Sequence, residues 1–292
     1  MERISSRQNA IVKRFRDLGR ASAAPAAAGH SAEVLLDGEH LVQEALACDI
    51  PVEIAAFSDR QMHNVLSGTA RLAKELTERG ARVVMVSEQV LAAMSPVQHP
   101  SGVVAIARAR AADVRVVMAT VTDLPLVLVL AGLQDPGNVG AIIRAAAAFG
   151  ASGVVAIEGS ANPFSWKALR GAMGGTFRLP IAARGSLSDV VASATELGVR
   201  LVAAVPRGGT PLPDLDLREP TAIVLGGEGA GVPHTTMAAV HATVTIPMQA
   251  PVESLNVAIA AALILYEATR QRAPAAPPRG RAATHVKSAG RS

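Results

Sequence analysis

Apolar runs alternate with amphipathic stretches along the chain, and in the second half these runs are almost continuous. Residues 126–131 and 153–157 contain only apolar residues and glycine. Strands of this kind are buried on both faces, as in a parallel sheet covered by helices. The second half therefore predicts an α/β fold with a parallel sheet. In chain order we predict strand 126–131, helix 139–149, strand 153–157, helix 163–170, strand 176–181, helix 187–197, strand 201–205, strand 222–225, a short helix near 233–240, strand 244–247 and helix 255–271.

The first half alternates in the same way but with shorter apolar runs. It predicts a small α/β domain over residues 1–110, a linker over 111–124 and a second domain over 125–272. The last stretch, 273–292, is rich in Pro and Ala and carries basic residues, which predicts disorder. In the first half we predict a basic helix near 5–20, strand 34–36, helix 40–47, strand 52–57, helix 69–79, strand 83–86 and strand 103–110.

The composition narrows the function classes. The chain has 292 residues, enough for two domains, but only five Phe, one Trp and one Tyr, so aromatic base stacking cannot be its main binding device. No apolar run approaches the ~20 residues that cross a bilayer, and the polar start shows no secretory signal. The single cysteine, Cys48, excludes an internal disulfide and a thiolate-rich metal site. We therefore expect a cytoplasmic protein with no membrane contact and no metal.

Positive charge is concentrated at the two ends. The net charge is +4, and the stretch from residue 273 holds four basic residues and no acidic one. The first twenty residues hold six basic residues against two acidic ones, so the body between the ends is mildly acidic. Basic ends suit contact with a phosphate backbone, because each Lys or Arg that neutralises a phosphate releases counterions. A merely solubilising role for the ends is the alternative.

Three segments hold candidate chemistry. The first, Asp135-Pro-Gly-Asn138-Val-Gly, leads from a strand into a helix that carries Arg144. Asn138 could simply cap this helix. Arg144 could be a solvated cation, but the rest of its helix is small and apolar, which favours an arginine that points into a cleft and pairs with an anion.

The second segment, Leu225-Gly-Gly-Glu228-Gly-Ala-Gly, follows a strand, and its glycines let the backbone approach a ligand. This segment matches neither the Rossmann nor the P-loop pattern, which weighs against a nucleotide-binding oxidoreductase. A tight structural turn is the alternative. In the third segment, 246–256, the end of a strand passes through a loop into an apolar helix that starts near Asn256. Capping alone would explain Asn256, and core or subunit packing would explain the helix.

Taken together, the ordered set N-V-G-x-x-x-R, L-G-G-E-G-x-G and I-P-M followed by S-L-N-V resembles the SpoU/TrmH family of RNA ribose 2′-O-methyltransferases. The resemblance covers about residues 126–272. Through LLDGEHLVQEAL and HPSGVVAIA, the first half is similar to the small α/β substrate-binding domain of that family. The resemblance implies a deep trefoil knot at the C-terminal end of the catalytic domain, although knots are almost absent among folds. It also implies a homodimer and S-adenosylmethionine as the cofactor.

Carried over position by position, the family's functional residues fall on polar active-site positions and on positions around the cofactor. The polar active-site positions would place the target nucleotide, with Arg144 holding a phosphate and the developing alkoxide, and with Glu228 orienting either Arg144 or the asparagines. A guanidinium does not readily give up its proton, which argues against the arginine as a base. The resemblance implies Asn138, Arg144, Glu228 and Asn256 as the catalytic group, and Leu225, Gly226, Gly227, Ile246, Pro247, Met248 and Leu255 around the cofactor.

RNA contacts are expected from basic residues of both halves. Arg170 matches a position that the family directs towards RNA phosphate, whereas Arg7, Lys13 and Arg14 belong to the basic start of the chain. The expected activity is methylation of a ribose 2′-hydroxyl in structured RNA, with ribosomal RNA favoured because a separate binding domain precedes the catalytic one. A tRNA 2′-O-methyltransferase and a non-catalytic, dimeric RNA-binding or ribosome assembly factor remain the alternatives.

Overall fold

The computed structural model describes residues 1–20, 29, 31–62, 68–119, 124–229 and 231–273. The N-terminal part of the described chain forms a five-stranded sheet in the order β1-β4-β3-β5-β2, in which β1, β4 and β3 run parallel and β5 is antiparallel to both its neighbours. Its strands are β1 (Glu2–Ile4), β2 (Ser31–Asp37), β3 (Val52–Ser58), β4 (Arg82–Val86) and β5 (Val103–Arg110). Its helices are α1 (Ala10–Arg20), α2 (Glu39–Ala47), α3 (Asp59–Met62), α4 (Thr69–Glu78) and α5 (Glu88–Met94).

The C-terminal part forms a seven-stranded sheet in the order β10-β12-β9-β11-β6-β7-β8, and every neighbouring pair is parallel. The predicted α/β fold with a parallel sheet is therefore confirmed. Its strands are β6 (Leu126–Ala131), β7 (Gly153–Ile157), β8 (Ile181–Gly185), β9 (Arg200–Ala204), β10 (Thr210–Pro211), β11 (Thr221–Gly226) and β12 (Ala242–Thr245). Its helices are α6 (Val114–Met118), α7 (Pro136–Ala148), α8 (Trp166–Ala172), α9 (Gly175–Arg178), α10 (Leu187–Leu197), α11 (His234–Met237) and α12 (Val257–Arg272), with a 3₁₀ turn at Leu212–Asp214.

The two sheets share part of their core. One apolar cluster includes Leu36 of β2 and Leu128 of β6, and both side chains are fully buried. Trp166, the first residue of α8, packs against a second cluster under the five-stranded sheet. Arg178, at the end of α9, donates two hydrogen bonds to Glu44 of α2, at 2.6 and 3.1 Å. Helices α8 and α9 therefore join the two halves of the structure.

Several predicted boundaries are wrong. The predicted strand 176–181 begins inside helix α9, and the observed strand, β8, begins five residues later than predicted. The linker 111–124 stays a prediction: its first part contains α6, whose Val117 and Met118 are buried, and residues 120–123 lie outside the described part of the chain. Strand β1 and helices α3 and α5 were not predicted. The predicted disordered tail lies outside the described residues from 274 onwards.

None of the helices in the described part of the chain combines the length and the apolarity of a bilayer-spanning segment. Within the same ranges, no three His, Cys, Asp or Glu side chains lie together in a way that could hold a metal ion.

Candidate active site

Three loops meet at the carboxyl edge of the seven-stranded sheet. One follows β6 and leads into α7, one follows β11, and one follows β12 and leads into α12. Strands β6 and β11 are direct neighbours over their whole length, from the pair Thr221 and Leu126 to the pair Gly226 and Ala131. Ligands of open parallel sheets bind at this edge, in the crevice outside the strand ends. The fold thus brings together the three segments that were singled out in the sequence.

A chain of hydrogen bonds connects these three loops. The Asn256 side-chain amide donates to Asn138 Oδ1 at 3.1 Å, and the Asn138 amide in turn donates to Glu228 Oε1. The same Asn256 caps helix α12, because its Oδ1 accepts from the backbone nitrogens of Ala258 and Ile259 at 2.9 and 3.3 Å. Both ends of the Asn256 amide are thereby fixed, and the three side chains hold the loops in one arrangement.

A cavity of about 600 Å³ opens beside this hydrogen-bond chain. This volume falls within the range of about 300–1,000 Å³ that is usual for ligand pockets. Glu228 and Asn256 line it, whereas Asn138 does not. Apolar side chains and glycines form most of the wall, to which Glu253 also contributes. The predicted cofactor residues that line the cavity are Leu225, Gly226, Gly227, Ile246, Met248 and Leu255.

The glycines at the end of β11 and in the loop after it are required by close backbone packing. A Cβ built on Gly226 would lie 2.2 Å from both the carbonyl carbon of Gly231 and the nitrogen of Val232. A Cβ on Gly227 would lie 2.3 Å from the carbonyl oxygen of Gly132, in the loop after β6. The Gly231 nitrogen also donates to the Gly227 carbonyl at 2.9 Å, which closes the turn. The result is a narrow backbone cradle at the cavity wall.

Several candidate residues lie elsewhere than expected. Asn138 does not cap α7; Asp135 does, by accepting from the Gly137 nitrogen, so that the helix begins three residues before the predicted start. Pro247 is exposed and is not part of the cavity wall. Asp135 followed by proline is a helix-start signal that the sequence already contained.

Arg144 also differs from expectation, because it is exposed and does not line the cavity. It lies six residues after Asn138 along α7, about 9 Å along the helix axis. Within the described residues it has no ion pair, and Glu228 bonds Asn138 instead. Of the two roles left open for Glu228, the geometry supports orientation of the asparagines.

The predicted RNA-binding residues fall into three situations. Arg7 and Lys13 are exposed on and before α1. Arg14 is held by Glu33 and Glu53, which raise the pKa of its guanidinium and neutralise its charge. Arg170, at the end of α8, is exposed and lines a second cavity between the two halves. Of these four, Arg14 therefore has an internal structural partner.

Comparison with known protein families gives two matches. The family model of the SpoU rRNA Methylase family matches residues 125–266, and that of the MRM3-like substrate binding domain matches residues 29–105. The first match contains all three motif segments of the second half, and the second contains LLDGEHLVQEAL and most of HPSGVVAIA.

Individual relatives extend over most of the chain. An uncharacterized tRNA/rRNA methyltransferase of Synechocystis is 34% identical over 94% of this chain and 96% of its own length. The 23S rRNA (guanosine(2553)-2′-O)-methyltransferase RlmP of Bacillus subtilis is 32% identical over 80% of this chain and 86% of its own. A crystal structure of an AdoMet-bound rRNA methyltransferase from Sinorhizobium meliloti superimposes with a TM-score of 0.79, at 27% identity over 94% of this chain and 99% of the other.

Proposed function

Because the chain belongs to the SpoU family of RNA methyltransferases, which use S-adenosylmethionine, we propose that it methylates a ribose 2′-hydroxyl of ribosomal RNA. The hydrogen-bond chain from Asn256 through Asn138 to Glu228, beside a ligand-sized cavity, is the observation that carries this proposal. The similarity to RlmP, whose name specifies 2′-O-methylation of 23S rRNA, supports both the acceptor atom and the RNA class.

The cavity fits the cofactor in shape and charge. The glycine cradle brings backbone to the cavity wall, where N–H and C=O groups can bind an adenine edge, and Leu225, Ile246 and Leu255 offer apolar contact. Glu228 and Glu253 add negative charge near a ligand that carries positive charge. When bound, S-adenosylmethionine supplies an activated methyl group on a sulfonium sulfur.

The polar side chains would place the acceptor. In-line displacement requires the ribose oxygen to be aligned with the methyl group and to lose its proton, so positioning accounts for much of the catalysis. Glu228 uses one carboxylate oxygen to hold Asn138, and its second oxygen can accept the hydrogen bond of a ribose hydroxyl. Asn256 has one amide hydrogen beyond the one given to Asn138, and it lines the cavity, so it can donate to the ribose.

Arg144 is proposed to bind the phosphate next to the target ribose. Its exposed guanidinium can make two parallel hydrogen bonds to phosphate, which a lysine cannot reproduce. We expect Arg144→Lys to lower kcat about 10-fold or more at saturating cofactor while leaving the Kd of S-adenosylhomocysteine unchanged. Near-full turnover of the lysine variant would show that a point charge suffices. Arg184→Lys, at another exposed arginine, is the matched control.

The experiment that tests the activity is transfer of tritiated methyl groups to RNA. Purified protein would be incubated with unmodified 23S rRNA, 16S rRNA and tRNA, and the product would be mapped for ribose methylation. We expect incorporation into rRNA at a 2′-oxygen. Incorporation into tRNA alone would select the tRNA enzyme, and RNA binding without incorporation would select a non-catalytic assembly factor.

We also propose a homodimer formed through α12. Ile259, Leu263 and Tyr266 lie three or four residues apart on one helical face and are 53, 40 and 56% exposed. Large apolar side chains in a row on a surface helix mark a protein contact. The double variant Ile259→Glu, Leu263→Glu is expected to sediment as a monomer, whereas Val116→Glu, at an equally exposed position of α6, should remain dimeric. A dimer that survives the double variant would place the contact elsewhere.

The path of the last segment supports the proposed knot. From β12, at one side of β9 and β11, the chain returns across the strand ends to α12, which packs against α7. The end of α12 then bonds the segment between the 3₁₀ turn and β11, since Gln271 donates to the Leu215 carbonyl at 2.9 Å and accepts from the Leu217 nitrogen at 2.8 Å.

The N-terminal half, which matches a substrate-binding family, is proposed to hold the RNA.

A further inference from the structure

A second cavity, of about 320 Å³, lies between the two halves of the structure. The start of α2 contributes His40, the loop before β5 contributes His99 and Ser101, and the end of α8 contributes Arg170. Four side chains with hydrogen-bond donors therefore converge from three segments that are far apart in sequence. All four are exposed, so that a ligand can reach them from solvent.

The cavity is also lined by two carboxylates that can accept hydrogen bonds, those of Asp37 and Glu39. Asp37, at the end of β2, accepts a hydrogen bond from Ser95 Oγ at 2.5 Å through one carboxylate oxygen, and its second oxygen can accept from a ligand. Burial raises the pKa of the Asp37 carboxyl, and the hydrogen bond from Ser95 and the positive charge of Arg170 oppose this shift. These groups together match the chemistry of a nucleotide. The guanidinium can bind a phosphate, the imidazoles and the hydroxyl can bind the polar edges of a base or sugar, and a carboxylate can accept from amino groups.

Met173 adds an apolar edge to the same cavity. It ends α8 in the left-handed region, with φ of 49°, and its side chain is 42% exposed. In a chain with so few aromatic residues, an unbranched and polarizable thioether is a suitable contact for the face of a base.

The cavity is close to the proposed methylation site. Gly171, the neighbour of Arg170, packs directly on the first turns of α7, and a Cβ built on it would lie 3.3 Å from Gly140 Cα and 3.4 Å from the Gly137 carbonyl oxygen. Asn138 is the next residue of that turn. Helix α8 therefore contacts both the second cavity, through Arg170, and the turn of α7 that carries Asn138. A single RNA strand can occupy both places.

We propose that this second cavity binds an unpaired nucleotide of the RNA substrate, close in sequence to the methylated one, with Arg170 on its phosphate and His40 and His99 on its base and sugar. The inference rests on the proposed methylation of RNA. Recognition of unpaired nucleotides by hydrogen bonds to their edges is the usual way in which proteins read RNA sequence. This subsite would therefore contribute to the choice of the modified position.

The test compares His40→Ala, His99→Ala and the double variant with wild type in the full-length protein. We expect the double variant to raise the KM for RNA about tenfold or more and to leave kcat and the Kd of S-adenosylhomocysteine within about twofold. The Kd for RNA, measured with S-adenosylhomocysteine bound so that no turnover occurs, should rise by the same factor as KM. His234→Ala, on an exposed histidine of α11 outside both cavities, is the matched control and should behave as wild type.

The outcomes separate the two proposals. If wild type methylates no RNA, the proposed function is wrong. If wild type is active and the double variant keeps the wild-type KM and Kd for RNA, the subsite is wrong while the activity stands. A raised KM with an unchanged Kd would also overturn the subsite, because the histidines would then act on the reaction and not on binding. All the replaced side chains are exposed, so the variants are expected to fold, which thermal unfolding checks directly.

Discussion

Gly226→Ala is expected to weaken the binding of S-adenosylhomocysteine by at least about 100-fold. The added methyl group would lie 2.2 Å from two backbone atoms, of Gly231 and Val232, where ordinary carbon contacts need about 3.5 Å. The close atoms all belong to the backbone of one peptide unit, so no flexible side chain can move away; this backbone must shift, and the narrow cradle is lost. Isothermal titration with S-adenosylhomocysteine measures the effect.

A neighbouring glycine provides the control. A Cβ on Gly229 would meet no atom within 4 Å, and its φ of 82° is the only obstacle to a side chain. That conformation costs an L-residue about 1–2 kcal/mol, so Gly229→Ala should lower stability modestly and change the Kd of the cofactor analogue less than tenfold. Equal losses of affinity in the two variants would show that loop flexibility, and not the close packing at Gly226, determines cofactor binding.

Elements with clear end signals could be predicted from the sequence. Helix α10 was predicted with the bounds that the structure has, because Ser186 and Asp189 form a capping box and Gly198 ends the helix in the left-handed conformation. Strand β6 was also predicted with its observed bounds, since a run of six buried apolar residues fits a central parallel strand. In such cases the local sequence is sufficient to predict where the element begins and ends.

The segment after α8 shows where local signals fail. The sequence Thr-Phe-Arg-Leu-Pro-Ile at 176–181 has the β-branched and aromatic character of a strand, yet its first three residues are helical. Met173 and Gly174, both left-handed, turn the chain sharply, and a Cβ built on Gly175 would lie 3.2 Å from the Ile143 carbonyl oxygen. The packing of α9 on α7 therefore decides the conformation, and this contact between distant segments is not visible in the sequence.

The sequence was enough to predict which segments form the site, but not which of their side chains bond each other. That the three segments meet follows from parallel strands, whose carboxyl ends share one edge of the sheet. Which side chains would bond each other does not follow, since Glu228 could have paired with Arg144 as well as with Asn138. Which of the two bonds Glu228 makes depends on helical phase, because Arg144 projects from another side of α7 than Asn138. Helix α7 also starts three residues earlier than the sequence suggested.

Arg272→Ala is expected to lower the melting temperature by about 10 °C. The guanidinium donates to the carbonyl oxygens of Leu217, Leu124 and Glu219 at 2.7, 2.7 and 2.8 Å, and more weakly to Pro125. It is half-buried, and burial lowers its pKa. Hydrogen bonds from a charged donor contribute about 1.5–3 kcal/mol each, although not additively, so the loss should reach about 3–4 kcal/mol. At 2–4 °C per kcal/mol this gives roughly 10 °C.

The position of Arg272 explains why the loss of one side chain should lower the stability of the fold by this amount. It fastens the end of α12 to both the loop before β11 and the residues that lead into β6, whereas Asn256 fixes the other end of α12 in the active site. Arg270→Ala is the control, because Arg270 is 59% exposed, pairs with Glu267 on the surface and should contribute less than about 1 kcal/mol. Arg272→Lys keeps the charge but cannot serve all these carbonyls, so it should fall between the two. Equal melting temperatures for the variants at 270 and 272 would show that the proposed fastening of α12 does not stabilise the fold.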